Sequence, residues 1–209
     1  MQTSKQSGRS MIEMLGVLAI VGILSITAIK SISKAMYKHK MNRETENIIH
    51  SIQTIYTIGL TEKAYTFVGN DRAEWQYDFP NPFNYNPWKQ NLFGGRYKYN
   101  KTRAKDRDRW GSAFLFGLNN VDKTFCIELL TKDWNHLAGG LISIGISDNN
   151  EHMRIGGDIN WCQKNQTPLL MNNDYYLICA AKIPLSPDKA AEVCTSSSKG
   201  KFIFTWKYR

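Results

Sequence analysis

Sixteen consecutive residues, Met14 to Ile29, carry no charge, and ten of them are large and apolar. Met11 and Ile12 extend the run to nineteen residues interrupted by Glu13 alone. At about 1.5 Å per residue this is roughly 28 Å of helix, close to the ~30 Å hydrocarbon core of a bilayer. A helix apolar on nearly every side needs lipid or other chains around it. A secretory signal has the same outline, but it requires small residues at a cleavage site after the apolar run, and Ser31-Ile32-Ser33 matches that poorly. Glu13 is the sharper constraint. A carboxylate within an apolar segment costs on the order of 3 kcal/mol by insertion scales, so it needs a partner. An ordinary signal or anchor gains nothing from it.

The residues ahead of the run, MQTSKQSG, are short and polar and end in glycine. The segment Gly8-Arg9-Ser10-Met11-Ile12-Glu13, followed by the uncharged run, resembles the prepilin peptidase site of type IV pilins and pseudopilins. The resemblance implies cleavage between Gly8 and Arg9, which makes Glu13 the fifth residue of the mature chain. Family members usually open the mature chain with an N-methylated phenylalanine or methionine, where this one has Arg9. It further implies a helical homopolymer of the chain itself, made with a prepilin peptidase and an assembly platform in the inner membrane. The subunit would lie in that membrane before assembly and in an extracellular pilus afterwards. A pseudopilin would remain periplasmic, and a minor pilin would bind DNA or surface glycans. The size of the head resembles the larger type IVb-like pilins, whose leaders are usually longer than eight residues. The chemistry agrees with the resemblance: cleavage frees an α-amine at Arg9, and a neighbour's Glu13 could pair with it in an apolar core, where an unpaired carboxylate is too costly.

One count points the other way. Lys30, Lys34, Lys38, Lys40 and Arg43 follow the run, whereas Lys5 and Arg9 precede it. Positive-inside counting alone would put the C-terminal part in the cytoplasm. The cysteines and the processing motif argue for the opposite orientation.

No proline occurs before Pro80, and no glycine lies between Gly22 and Gly59. Met41, Ile48, Ile52 and Ile55, with Ile49 and Tyr56, recur at helical spacing. Thr45 shares their stripe and Glu44 sits at its margin. One helix is therefore expected from about Ser10 to Ile58, roughly 75 Å long, apolar in its first half and amphipathic in its second. This divides the chain into a leader (1–8), an assembly and transmembrane helix (9–58) and a globular head (59–209). From Gly59 to Asp108, prolines, asparagines and aromatics crowd together, most densely in FPNPFNYNPW, which predicts an ordered irregular loop. Beyond it, Arg96–Tyr99, Ser112–Leu118, Leu141–Ser147, Tyr175–Ile183 and Lys201–Lys207 read as up to five antiparallel strands. Asp122 is placed to cap a short helix through about Lys132, and Ser186-Pro187-Asp188 to open another ending near Cys194. The fold class is α+β, with the long helix packed on an antiparallel sheet.

Cys126, Cys162, Cys179 and Cys194 lie in the C-terminal half without zinc-like spacing, which suggests two disulfides in an oxidising compartment. Four cysteines permit three pairings, and spacing does not choose among them. Pilin heads commonly tie their C-terminal region back to the sheet, which by resemblance favours Cys126–Cys194 with Cys162–Cys179 nested inside. Cys179–Cys194 is the competing bond.

His39, His50, His136 and His152 are scattered, and no phosphate loop or dinucleotide fingerprint is present, so neither catalysis, metal nor cofactor is expected. Asp148-Asn149-Asn150-Glu151 lacks the spacing of a calcium loop and reads as a turn. The net charge of +9 favours acidic contacts. Arg96, Lys98, Lys101, Arg103, Arg107 and Arg109, with Tyr97 and Tyr99 interleaved, form a candidate anion-binding stretch of the kind that holds nucleic acid. Asp106 and Asp108 dilute it, and a basic hairpin facing an acidic neighbouring subunit needs the same residues.

Overall fold

The computed structural model describes residues 11–61, 91–104, 108–109, 111–138, 140–147, 162, 169–171, 175–195 and 201–209. The chain divides into two compact units, Met1–Arg43 and Glu44–Arg209, and helix α1 (Met11–Thr61) contributes residues to both. The absence of proline from this stretch, and of glycine between Gly22 and Gly59, removes the usual breakers, so the helix persists to Thr61. The aromatic-rich loop, the Asp148–Glu151 turn and the Gly8–Arg9 junction lie outside the described residues.

In the second unit, α1 buries Ile48, Ile52 and Ile55 completely. They stand three or four residues apart on one stripe, and each contributes about 1.5–3 kcal/mol by leaving water. The sheet has six antiparallel strands: β1 (Tyr97–Thr102), β2 (Ala113–Asp122), β3 (Leu141–Ser147), β4 (Leu169–Met171), β5 (Tyr175–Cys179) and β6 (Lys201–Tyr208). Their spatial order is β1-β2-β6-β3-β5-β4, so the last strand in sequence fills a central place. Up to five strands were expected. The sixth, β4, has three residues, too few for an alternation to show. The expected Tyr175–Ile183 strand stops at Cys179 and passes into a 3-10 turn, Ala180–Lys182, closed by the Ile183 amide donating to the Ala180 carbonyl at 3.0 Å.

Register explains the two faces. On one, Phe114, Phe116 and Leu118 of β2 stand opposite Tyr208, Trp206 and Phe204 of β6. Ring centroids lie 5.5 Å apart for Phe114–Tyr208 and 5.8 Å for Phe116–Trp206, and Trp134 joins Trp206 at 5.1 Å. Such tilted and offset pairs add about 0.5–1.5 kcal/mol each beyond their burial. On the other face, Lys207 and Thr205 stand between Leu115 and Gly117 of β2 and Ser143 and Gly145 of β3, all of them buried. This face is small and polar where the first is aromatic.

Helix α2 (Lys123–Leu130) starts where Asp122 accepts the Phe125 amide at 2.9 Å, a capping bond typically contributing about 1 kcal/mol. Helix α3 (Pro187–Val193) has Ser186 at the N-cap position and proline in its first turn, but the serine hydroxyl makes no capping hydrogen bond. The Cys126–Cys194 disulfide joins α2 to the end of α3 with a Cα separation of 6.0 Å. Cys162–Cys179 ties residue 162 to the end of β5 at 5.6 Å. The Leu185 amide, donating to the Leu130 carbonyl at 2.9 Å, adds a backbone tie between the same two helical regions.

Candidate functional site

From Met11 to Met36 the first unit is a helix whose described side chains have no core around them. From Met14 to Ile29 its large side chains, among them Leu15, Leu18, Ile20, Ile23, Leu24 and Ile26, are all exposed, at 52–66% for this set with Val17, Val21 and Ile29. Exposed isolated leucines are ordinary, but contiguous apolar surface on this scale marks a membrane or protein interaction. This is one helix long and apolar enough to cross a membrane, by length and composition. One polar side chain inside the run is self-satisfied: the Ser25 hydroxyl donates to the Val21 carbonyl at 2.7 Å. Glu13 lies in the first turn of α1 and is exposed. A carboxylate there meets the positive end of the helix dipole, worth about 0.3–1 kcal/mol at an exposed site. That favours the helical start without supplying the partner an apolar surrounding would require.

The second unit holds a carboxylate that the sequence reading placed at the margin of the stripe. Glu44 is fully buried. One of its oxygens accepts the Leu92 amide at 3.0 Å, and the other accepts the hydroxyl of Tyr97 on β1. Its spacing from Ile48 and Ile52, four and eight residues, is the spacing of the stripe itself, so position alone signalled burial while its charge argued against it. The turn between these two donors is built by asparagine. Asn91 Oδ1 accepts the amides of Phe93 and Gly95 at 2.9 and 2.8 Å, and its Nδ2 donates to the Asn119 carbonyl at 2.8 Å. Asn119 and Asn120 stand where the β2–β6 register shifts, and Asn120 takes a left-handed backbone (φ 64°), which asparagine tolerates better than most residues. Asn120 Nδ2 in turn donates to the Phe93 carbonyl.

The basic stretch is spread out. Arg96 and Arg103 are exposed and flank β1, roughly 23 Å apart at about 3.3 Å per residue. Lys98 and Lys101 occupy strand positions of opposite parity, and Lys101 is half-buried. Arg109 is exposed, and Lys105, Arg107 and Trp110 lie outside the described residues. Among the described residues, no three His, Cys, Asp or Glu side chains converge on a point.

The chain matches no protein-family model, and no curated protein matches it.

Proposed function

We propose that this chain is a structural subunit of a type IV pilus-like filament, freed by prepilin peptidase cleavage after Gly8 and polymerised through its N-terminal helix. The observation that carries the reading is the pairing of an exposed, all-round apolar helix with Glu13 in its first turn. A membrane anchor has use for the first and gains from the second no more than a favoured helix start. A polymer has use for both: side-by-side helices cover the apolar surface, and each Glu13 receives the Arg9 amine of the adjoining subunit. In that environment an ion pair offsets a desolvation cost that neither group sustains alone, so it fixes axial register as subunits add. On this reading the chain starts in a bacterial inner membrane with its disulfide-bearing head outside the cytoplasm.

Two measurements test this. Intact-mass analysis of protein from its native membrane is expected to show loss of residues 1–8 and four fewer hydrogens than the reduced chain, two for each disulfide. The Glu13→Ala variant is expected to insert in the membrane and fold its head while yielding few or no sheared surface fibres. Retention of the leader, or normal fibres from the variant, defeats the proposal.

A further inference from the structure

The apolar surface of α1 does not end in water-facing polar residues of mixed sign. It ends in a row of one sign: Lys30, Lys34 and Lys38, all exposed, stand four residues apart. Successive members are rotated by only about 40° around the helix, so the three share a face. Ile29, Ile32 and Met36 are exposed at 64, 59 and 68% on the opposite side. Among the described residues none of the three lysines has an ion-pair partner. The geometry points to a headgroup site: we propose that Lys30, Lys34 and Lys38 bind the phosphates of anionic phospholipids at the membrane face where the apolar span ends.

The distances favour this occupant. If residues 11–29 fill the hydrocarbon core, Lys30 and Lys34 fall within about 8 Å of its edge, in the headgroup layer. Lys38 lies about 6 Å further, within one Debye length at physiological salt. Lysine stems lie along apolar surface while the ammonium reaches phosphate, so Ile32 and Met36 can remain against acyl chains while the row faces outward. Each such lysine favours an anionic surface by about a fivefold factor, the equivalent of roughly 1 kcal/mol. This site would also account for the conflict with positive-inside counting. The charges that argue for a cytoplasmic head would instead grip the outer leaflet of the inner membrane and hold the subunit at a set depth before polymerisation.

The inference rests on the membrane-spanning part of the functional reading, and one experiment separates the two. The full chain is reconstituted in bilayers containing spin-labelled phosphatidylglycerol or phosphatidylcholine, and the motionally restricted fraction of each lipid is measured. Expected is a preference of about fivefold for phosphatidylglycerol, falling towards unity in the Lys30→Gln/Lys34→Gln/Lys38→Gln variant and at 1 M salt, and retained when all three are arginine. Equal restriction of both lipids, a preference unchanged in the glutamine variant, or loss of self-association as the variant's only defect would overturn it, the last assigning the row to a second copy of the chain. No restricted lipid at all would overturn both this site and the membrane span. Fibres are scored on the same variants. In the parent chain, lipid preference without fibres overturns the filament alone, and fibres without the preference overturn the headgroup site alone.

Discussion

Glu44 has no cationic partner in its described contacts and is nonetheless fully buried, so its two hydrogen bonds carry its desolvation cost. Replacing it with alanine takes the acceptor from the half-buried Leu92 amide and Tyr97 hydroxyl, at about 1–3 kcal/mol for each where water does not replace it. Glu44→Ala is therefore expected to lower head stability by roughly 2–5 kcal/mol in chemical unfolding. Glu44→Gln should cost less, because its carbonyl can still accept one donor, although its amide then faces the other. Near-equal effects would mean that lost packing, not lost acceptors, sets the cost. Tyr208 offers a test in pH. Burial, and secondarily the Asp133 carboxylate, hold its phenol far above the ordinary 10.0, and its hydroxyl donates to the Trp134 carbonyl at 3.1 Å. Below pH 10 the phenol is protonated in folded and unfolded chains alike and adds no slope. Above it the unfolded chain releases the proton while the folded chain keeps it, so stability falls as pH rises, by about 1.4 kcal/mol per unit for this group. Tyr208→Phe is expected to lose about 1 kcal/mol at neutral pH and to show a shallower alkaline decline. A decline as steep as that of the parent would place the responsible group elsewhere.

The elements that the sequence announced are those whose signal is local. Asp122 accepts the Phe125 amide where the capping rule put it, and the isoleucine stripe of α1 is buried at its expected spacing. Strands β2, β3 and β6 fall within a few residues of their predicted spans, because each is long enough to show its composition. What was not legible depends on partners distant in sequence. Strand β4 exists by pairing with β5 across three residues, and the central place of β6 follows from β2 and β3, which flank it from far upstream. Glu44 belongs to the same class, since its acceptors are matched by donors 48 and 53 residues away. The basic stretch was legible as composition, whereas the separation of Arg96 from Arg103 by the length of β1 depends on the strand. The bulge on β2 supplies an element-scale test. A Cβ on Gly95 would stand 2.1 Å from the Asn119 carbonyl oxygen and 2.5 Å from Asn119 Oδ1, both in the bulge that locks the turn to the sheet. A backbone oxygen cannot move aside as a flexible side chain can. Gly95→Ala should cost at least 1–3 kcal/mol, as overpacking does, and should loosen the 91–95 turn in hydrogen exchange before the rest of the sheet. Unchanged exchange in the turn would show that β2 and the turn tolerate separation.

At the scale of the whole chain, the two units obey different solvents. Residues from Glu44 onward bury an aromatic face, a helical stripe and two disulfides, all within one unit. Residues 11–36 have the opposite character, a helix whose described large apolar side chains face outward. The apolar run is itself unburied, so it gains its favourable transfer only from lipid or neighbouring helices. A chain beginning at Lys38 keeps more than one helical turn ahead of Glu44, enough to protect its two hydrogen bonds from end fraying. It is expected to be monomeric and soluble without detergent, to form both disulfides, and to unfold cooperatively within a few degrees of the head transition of the full chain. The full chain should need detergent or lipid. Scanning calorimetry and light scattering on the two proteins decide the matter. A shortened chain that aggregates or melts without cooperativity would show that the apolar helix is part of the folding core, and its exposure would then call for a partner required for stability rather than for assembly.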